Sequence, residues 1–211
     1  MLVAHGRAQG SLIGVDTTQG VGIVPYDVGA PVVDFMISST LKWLMGVPGA
    51  GVLYVRPEII AECTPEFCGW FSQPDPFNWD FDRFSYADDI RRFDHGTPSV
   101  VGLAASLPGL RWQAAQGLDR LRAHNLRLSR RIIAAAHDHG WTLASPEDDA
   151  SRGGSVMLRL PESKPAPEVV AALREDGFFT DHRGQILRIS PGAVTTEAAI
   201  EDLCETLAGL L

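Results

Sequence analysis

Two apolar, strand-like runs near the start of the chain each lead into a single ionisable residue. The first run, Ser11–Val15, is followed directly by Asp16, and the second, Val32–Ser38, is followed within four residues by Lys42. Neighbouring strands of an α/β sheet present their carboxyl ends at a common edge, and ligands bind there. The pattern therefore predicts an α/β fold with Asp16 and Lys42 at one ligand-binding edge.

Charge and composition exclude several classes of protein. The 211 residues carry a formal net charge of −8, which provides no basic footprint for nucleic acid. No apolar stretch approaches the roughly 20 residues that span a bilayer, and the N-terminus lacks a signal-peptide pattern. Three cysteines cannot all pair, so reduced thiols are expected. We expect a soluble cytoplasmic protein with no nucleic-acid or membrane partner.

The order of the predicted elements suggests two domains. A third strand, Gly51–Arg56, follows the second closely enough to return antiparallel to it. Residues 64–94 are rich in aromatic residues, Pro and Asp, and are interpreted as a long functional loop. The pattern becomes helical from about Ser99, with an amphipathic helix over residues 117–136.

Beyond that helix we predict strands at 141–145 and 155–160, a helix at 166–175, a strand at 186–190, and a last helix capped by Thr195 or Thr196. The predicted domains are residues 1–108 and 109–211, with the boundary near Pro108.

The pairing of Asp16 with Lys42 suits pyridoxal 5′-phosphate. A lysine amine can hold the cofactor aldehyde as a Schiff base, and an aspartate can pair with the pyridinium nitrogen. Taken singly, Asp16 is equally well explained as a turn or cap residue, and Lys42 as a surface lysine. Their joint placement, with Gln19 and Ser39 nearby, favours a cofactor site.

Several short segments resemble class V aminotransferases, a family with the type I pyridoxal phosphate fold that includes aminotransferases, cysteine desulfurases and kynureninase. In chain order they are Asp16–Gly22, Val33–Phe35, Ser39–Gly46, Gly49–Val55, Gly69–Phe71, Ile90–Pro98 and Gly177–Pro191. The last three are most similar to the kynureninase branch. The resemblance implies an incomplete large domain, with a mixed sheet flanked by helices, followed by a small α+β domain.

The resemblance also assigns roles. Lys42 would be the Schiff-base lysine that moves the Cα proton, and Asp16 would keep the ring nitrogen protonated. Gln19 would lie near the phenolic oxygen, and Arg188 would bind the substrate carboxylate. The phosphate would lie near Ser39, Trp70 and Thr97, with Thr97 reaching in from the partner of a homodimer. The alternatives are a core aromatic for Trp70, a turn residue for Thr97 and a salt-bridged arginine for Arg188.

Some residues depart from the patterns of individual branches. Leu41, Gln19 and Gln73 stand where kynureninases have tyrosine, histidine and histidine, which argues against kynurenine as the substrate. Cysteine desulfurases need a cysteine shortly before the position of Arg188, and none occurs between Asp149 and Arg188.

We therefore expect a pyridoxal phosphate enzyme acting on an α-amino acid, with transamination favoured and kynureninase-like hydrolysis as the alternative. Because the match begins near the middle of the family fold, we expect the C-terminal part of a longer enzyme, and a truncated, non-catalytic chain with an exposed apolar sheet edge is a further alternative. No metal site is predicted, since His137 and His139 lack a third ligand and Cys63 and Cys68 lack a second pair.

Overall fold

The structure, a computed structural model, describes residues 2–80 and 82–211, and these form two compact units. The first unit contains the residues up to Thr18 together with Tyr26–Trp112. The second contains Gln19–Pro25 and Gln113–Leu211. The predicted boundary at residue 108 lies within one helix, and the division into residues 1–108 and 109–211 stays a prediction.

The first unit contains a three-stranded mixed sheet. Its elements are α1 (Leu2–Ala8), β1 (Gly14–Asp16), β2 (Phe35–Ser39), β3 (Gly51–Val55) and α2 (Pro57–Ile60), followed by α3 (Val100–Gln116), whose last residues belong to the second unit. In the order β1-β2-β3, β1 pairs parallel with β2, and β2 pairs antiparallel with β3. The antiparallel return of the third predicted strand is thereby confirmed.

The first two strands begin three residues later than predicted and end one residue later, whereas β3 begins at Gly51 as predicted. In the first strand, the backbone before Gly14 leaves the regular ladder because the carbonyl of Ile13 accepts hydrogen bonds from the amides of both Asp34 and Phe35. Regular pairing starts with Gly14 opposite Phe35 and continues to Asp16 opposite Ile37. The apolar runs thus mark where strands lie, while backbone hydrogen bonding decides where each strand begins.

Asp34, directly before β2, is a fully buried carboxylate at the start of this sheet. Its Oδ2 accepts a hydrogen bond from the Ile13 amide at 2.6 Å and pairs with Arg7 of α1 at 2.7 Å. Its Oδ1 accepts from Nε of Arg56 at 2.8 Å. Burial raises the pKa of Asp34, but the bonds from Ile13, Arg7 and Arg56 outweigh it, and the net pKa is lowered.

The segment between α2 and α3 has no regular element among its described residues except two short 3₁₀ turns, Trp70–Ser72 and Ile90–Phe93, as the prediction of a long loop requires. Buried Arg92 ties this loop together by donating to the carbonyls of Ile60, Cys63 and Ala87. The two turns meet at Gly69, where a Cβ would lie 1.9 Å from the carbonyl oxygen of His95.

Several large apolar side chains of the first unit are exposed. Ile37 of β2 is 49% exposed, and Val52 and Leu53 of β3 are 45% and 40% exposed. A pocket lined by Val52, residues of α3 and their neighbours is correspondingly apolar. These side chains lie on the central strand and on β3, so the sheet has an exposed apolar face, and the exposed apolar edge stays a prediction.

The second unit is a two-layer α+β arrangement. Its elements are α4 (Leu118–Asp138), β4 (Thr142–Leu143), β5 (Val156–Arg159), α5 (Ala166–Glu175), β6 (Asp181–Arg183), β7 (Ile186–Ile189) and α6 (Glu197–Leu210). The strands pair antiparallel throughout, in the order β4-β5-β7-β6. The predicted strands and helices all occur here, and Thr196 provides the predicted cap of the last helix.

One contiguous apolar core holds this unit together. Val156, Leu158, Leu187 and Ile189 alternate with exposed or half-buried residues, so one face of the sheet is buried against α4, α5 and α6. The opposite face carries Met157 and Arg188. Sequence reasoning missed β6, whose three residues are Asp181, His182 and Arg183, because their polar pattern resembles a loop and only pairing with β7 makes them a strand.

These two units confirm the predicted α/β class, with a mixed sheet followed by a small α+β unit. Among the described residues, no helix combines the length and the apolar character that crossing a lipid bilayer requires.

Replacing Asp34 by Asn should destabilise the chain by about 3 kcal/mol, because two guanidinium groups lose their buried anion. The wild-type pKa of Asp34 is lowered from an unfolded value of about 3.9. Its stabilising contribution is therefore complete above about pH 4 and is lost as the pH falls through the folded pKa.

Urea unfolding at pH 7 and pH 3 measures both effects, with Asp202→Asn on the exposed side of α6 as a control that should change neither value. Equal stability of Asp34→Asn and the wild type at pH 7 would contradict the role of this carboxylate.

Gly69→Ala should also destabilise the chain, by about 1–3 kcal/mol, because the added methyl group overlaps the His95 carbonyl and one backbone must move. Gly192→Ala is the matched control, since no atom lies within 4 Å of its added Cβ. If the two variants have the same urea midpoint, the backbone at Gly69 does not lie as close to the His95 carbonyl as described.

Candidate active site

Asp16 ends β1, and its carboxylate is ordered by Thr18. Oδ1 accepts a hydrogen bond from the Thr18 amide at 2.9 Å. Hydrogen bonds from the hydroxyl and the amide of Thr18 lower the pKa of Asp16 below its ordinary value. The exposed carboxylate is therefore firmly anionic at neutral pH, as a partner for a protonated ring nitrogen must be.

Thr18 also connects the ends of the two parallel strands. Its Oγ1 accepts a hydrogen bond from the amide of Ser39, the last residue of β2, at 3.1 Å. The neighbouring Thr17 donates its hydroxyl to the Ile37 carbonyl at 2.9 Å. Asp16 and Ser39 thus lie at the same sheet edge, as the sequence predicts for the ends of these strands.

Lys42 lies in the turn that follows β2, three residues beyond Ser39, and its side chain is exposed. The amine forms no ion pair or hydrogen bond with the described residues. Neither a carboxylate nor a carbonyl of the described chain competes for this amine, so it is available for covalent chemistry.

Thr40 and Ser106 anchor the turn that carries Lys42. The buried Thr40 hydroxyl lies 3.1 Å from the carbonyl oxygens of Val47 and Ala50 and 3.2 Å from Ser106 Oγ on α3. Ser106 Oγ also accepts a hydrogen bond from the Val47 amide at 3.1 Å. The two ends of residues 40–50 are therefore joined to each other and to Ser106 of α3, so a buried polar network holds the turn that carries Lys42.

An open pocket of about 470 Å³ lies at this edge of the sheet. Its lining residues are Thr18, Ile37, Ser38, Ser39, Ala50, Gly51, Val52 and Leu53. Thr18 and Ser39 thus line the pocket themselves, whereas Asp16 and Lys42 lie close to it in sequence and outside its lining.

Trp70 and Thr97 lie in the two loop segments that meet at Gly69. Trp70 is 37% exposed and packs edge-on against Phe71 and Phe77, with ring centroids 5.1 and 6.0 Å apart. A Cβ at Gly96 would lie 3.4 Å from Trp70 Nε1, so the indole N–H is beside the segment that carries the exposed Thr97. The fold brings these two residues into one neighbourhood.

Gln19 and Arg188 belong to the second unit and line one pocket of about 220 Å³ there. Ser145, Ser155 and Met157 are also part of its wall. Arg188 donates from Nε to Oδ1 of Asp181 at 2.7 Å and from Nη2 to Oδ2. The predicted site residues are thus grouped as Asp16, Ser39, Lys42, Trp70 and Thr97 in the first unit, and as Gln19 and Arg188 in the second.

Sequence reasoning missed four residues that order these groups: Thr18, Thr40, Ser106 and Asp181. For Thr18 and Thr40, the available signal in the sequence was a hydroxyl side chain two residues from Asp16 or from Lys42. The contacts of Ser106 and Asp181 depend on elements far away in sequence or on a strand that the pattern did not reveal. Over the described residues, no cluster of His, Cys, Asp and Glu suited to a metal ion occurs.

Comparison with known proteins places this arrangement in a family. The family model described as aminotransferase class-V matches residues 1–178. The uncharacterized aminotransferase YcbU of Bacillus subtilis (strain 168) is 27% identical over 202 residues, covering 96% of this chain and 52% of the relative. A kynureninase of Bacillus anthracis is 31% identical over 201 residues, covering 92% of this chain and 46% of that enzyme.

Solved structures share the fold. An apo cysteine desulfurase from Thermococcus onnurineus NA1 superposes with a TM-score of 0.88 at 22% identity, over 99% of this chain and 55% of that one. A mutant of C-DES with glycine covalently linked to its pyridoxal phosphate cofactor superposes with a TM-score of 0.81 at 20% identity, over 92% of this chain and 50% of that one. The chain spans about half the length of these relatives.

The family model covers most of the chain, and the expected resemblance, the type I fold and the association of this family with pyridoxal phosphate are all confirmed. The chain belongs to the class V aminotransferase family of pyridoxal phosphate enzymes.

Proposed function

We propose that this chain carries the lysine-bearing part of a pyridoxal phosphate enzyme that acts on an α-amino acid, with transamination as its reaction. One observation carries the proposal. The parallel pair β1–β2 places an anionic Asp16 at the same sheet edge as the turn that presents the unpaired amine of Lys42. In this proposal the enzyme works as a cytoplasmic homodimer.

The chemistry of the donor set fits pyridoxal phosphate. A cofactor with an aldehyde, a basic ring nitrogen and a phosphate needs a reactive amine, an anion and hydrogen-bond donors. Lys42 provides the amine and Asp16 the anion, whose pKa Thr18 holds low. The hydroxyls of Ser39 and Thr97 and the Trp70 indole N–H provide donors.

Lys42 would hold the cofactor covalently and, once the substrate amine has replaced it, would take and return the proton at substrate Cα. Asp16 would keep the ring nitrogen protonated. Pyridoxal phosphate, when bound, supplies an electron sink for the carbanion at that carbon. Because Thr40 and Ser106 fix the turn of Lys42, the amine would return the proton from a defined position.

The other predicted residues would bind and orient. Ser39, Trp70 and Thr97 would contact the phosphate, Thr97 from the partner subunit, and Gln19 would lie near the phenolic oxygen. Arg188 would bind the substrate carboxylate through its planar guanidinium, which forms two parallel hydrogen bonds to such a group.

Transamination is favoured because Gln19, Leu41 and Gln73 depart from the kynureninase pattern. The structure also shows that Gln73 is buried. Kynureninase-like hydrolysis is the second candidate, supported by the kynureninase relative at 31% identity. Desulfurase chemistry is disfavoured because Cys204 is in α6, where burial raises the pKa of its thiol to about 11 and keeps it protonated.

Pyridoxal phosphate should modify Lys42 selectively, and the chain allows a clean test because it contains only two lysines, Lys42 and Lys164. The protein is incubated with the cofactor, reduced with borohydride, digested and analysed by mass spectrometry. We expect the label on the peptide containing Lys42 and a visible absorbance band before reduction.

Lys42→Ala should lose both signals, whereas Lys164→Ala should keep them, because the Lys164 amine donates to the Leu210 carbonyl in the other unit. Equal labelling of both lysines, or none in folded protein, would favour the non-catalytic alternative. Two activity assays on a chain that binds the cofactor separate the candidate reactions. Transfer of an amino group to an α-keto acid indicates transamination, whereas release of anthranilate from kynurenine indicates kynureninase-like hydrolysis.

Binding of the cofactor should persist to acidic pH because Asp16 stays anionic down to its lowered pKa. Thr18→Val removes the hydroxyl bond that lowers this pKa, so the pKa rises and the acid limit of binding should move to higher pH. Titration of the visible band downwards from neutral pH to about pH 3, through the ordinary range of a carboxyl group, measures the shift. Thr195→Val in the second unit is the control, and a Thr18→Val limit identical to the wild type would contradict the role of Asp16.

A further inference from the structure

We propose that Asp181 is a positioning residue for Arg188, holding one edge of its guanidinium so that the other edge receives the substrate carboxylate. This inference rests on the proposed function, because it takes Arg188 as the carboxylate-binding residue. It goes further by adding a residue, and a geometric requirement, that neither the family match nor the sequence pattern assigns.

The first support is the geometry of the pair. Asp181 on β6 lies directly opposite Arg188 on β7, so the two side chains share one face of the sheet. The carboxylate accepts from Nε at 2.7 Å and from Nη2. This arrangement occupies the edge formed by Nε and Nη2 and fixes the plane of the guanidinium.

The second support is what the pairing leaves available. An arginine carries five N–H donors, and the edge formed by Nη1 and the second hydrogen of Nη2 can form another two parallel bonds. Nη1 makes no hydrogen bond with the described residues. The guanidinium can therefore bind two carboxylates at once, one on each edge.

The third support is the surroundings. Met157 on β5 lies opposite Arg188 on the other side and lines the same pocket, so Arg188 is held between an apolar side chain and Asp181. The other cation of that pocket, Arg152, is buried: its Nη1 and Nη2 donate to the Pro146 and Glu147 carbonyls and to Asp149, and its Nε is enclosed without a partner in the described part of the chain. Among the described residues that line this pocket, Arg188 is thus the cation whose Nη1 and Nη2 can donate to a carboxylate.

Positioning and simple electrostatics predict opposite results for Asp181→Asn. Removing the negative charge beside Arg188 should strengthen carboxylate binding if charge alone matters. If Asp181 fixes the guanidinium, carboxylate binding should weaken about tenfold. A loss of this size is typical when the residue that orients a metal-binding side chain is removed.

The test uses the 211-residue chain without cofactor, labelled with ¹³C at the methionine methyl groups. Four methionines give a simple spectrum, and Met157→Leu identifies the signal next to Arg188. L-Alanine is the probe, and L-alaninamide, which lacks the carboxylate, is the control ligand. We expect a saturable shift of the Met157 signal with L-alanine alone, and an affinity about tenfold lower in Asp181→Asn.

Arg183→Gln is the matched control variant, because Arg183 is 80% exposed and its Nη1 lies 3.9 Å from Asp181 Oδ2. It takes no part in the two hydrogen bonds between Asp181 and Arg188. It should bind L-alanine like the wild type. An unchanged circular dichroism spectrum and an unchanged urea unfolding curve report that Asp181→Asn is folded, since the other three methionines belong to the first unit and do not report on the second. If it does not fold, Asp181→Glu replaces it, with an intermediate loss of affinity expected from the longer side chain.

Affinity in Asp181→Asn or Asp181→Glu that equals or exceeds the wild type overturns the proposal, as does a wild-type signal that does not respond to L-alanine. These outcomes are separate from those of the cofactor experiment. Labelling at Lys42 tests the first unit and needs no amino acid, while the methionine titration tests the second unit and needs no cofactor.

Discussion

The first unit depends on the buried carboxylate of Asp34. This side chain joins α1 through Arg7, the residue before β1 through the Ile13 amide, and the residue after β3 through Arg56. The backbone of Asp34 adds bonds to Ile13 and Arg56. Because these contacts fix the start of β1 beside the start of β2, they also fix the parallel register that brings Asp16 and Ser39 to one edge. A buried anion is costly to desolvate, and three donors offset that cost.

The two units are stabilised in different ways. The second has a contiguous apolar core between one face of its sheet and three helices. The first buries polar networks instead, around Asp34, around Arg92 and around the Thr40–Ser106 pair, while Ile37, Val52 and Leu53 remain exposed. Hydrogen-bond networks are directional, so they fix the positions of chain segments more sharply than apolar contacts do. Such precision suits the turn that carries Lys42, since the covalent chemistry proposed for this residue requires a defined position of the amine.

Neighbouring residues restrict the orientation of the candidate site residues. Thr18 lowers the pKa of Asp16 and bonds to Ser39. Thr40 and Ser106 hold the turn of Lys42, and Asp181 is proposed to orient Arg188. In each case a residue able to do chemistry is paired with one that restricts its orientation. Beside Lys42 and Asp16, this member of the class V family thus contains the contacts that order them.

The sequence by itself determined the class of fold, most helices and strands, and the sheet edge that the ends of β1 and β2 share. Apolar periodicity and the ionisable residues at strand ends are local signals, and Asp16, Ser39 and Lys42 follow from them. Short β6 escaped prediction because its polar residues form a strand only when β7 pairs with them. The roles of Asp34, Ser106 and Asp181 were likewise decided only by the tertiary structure. Their partners lie on other elements, and the hydrogen bonds that define them exist only once those elements have packed together.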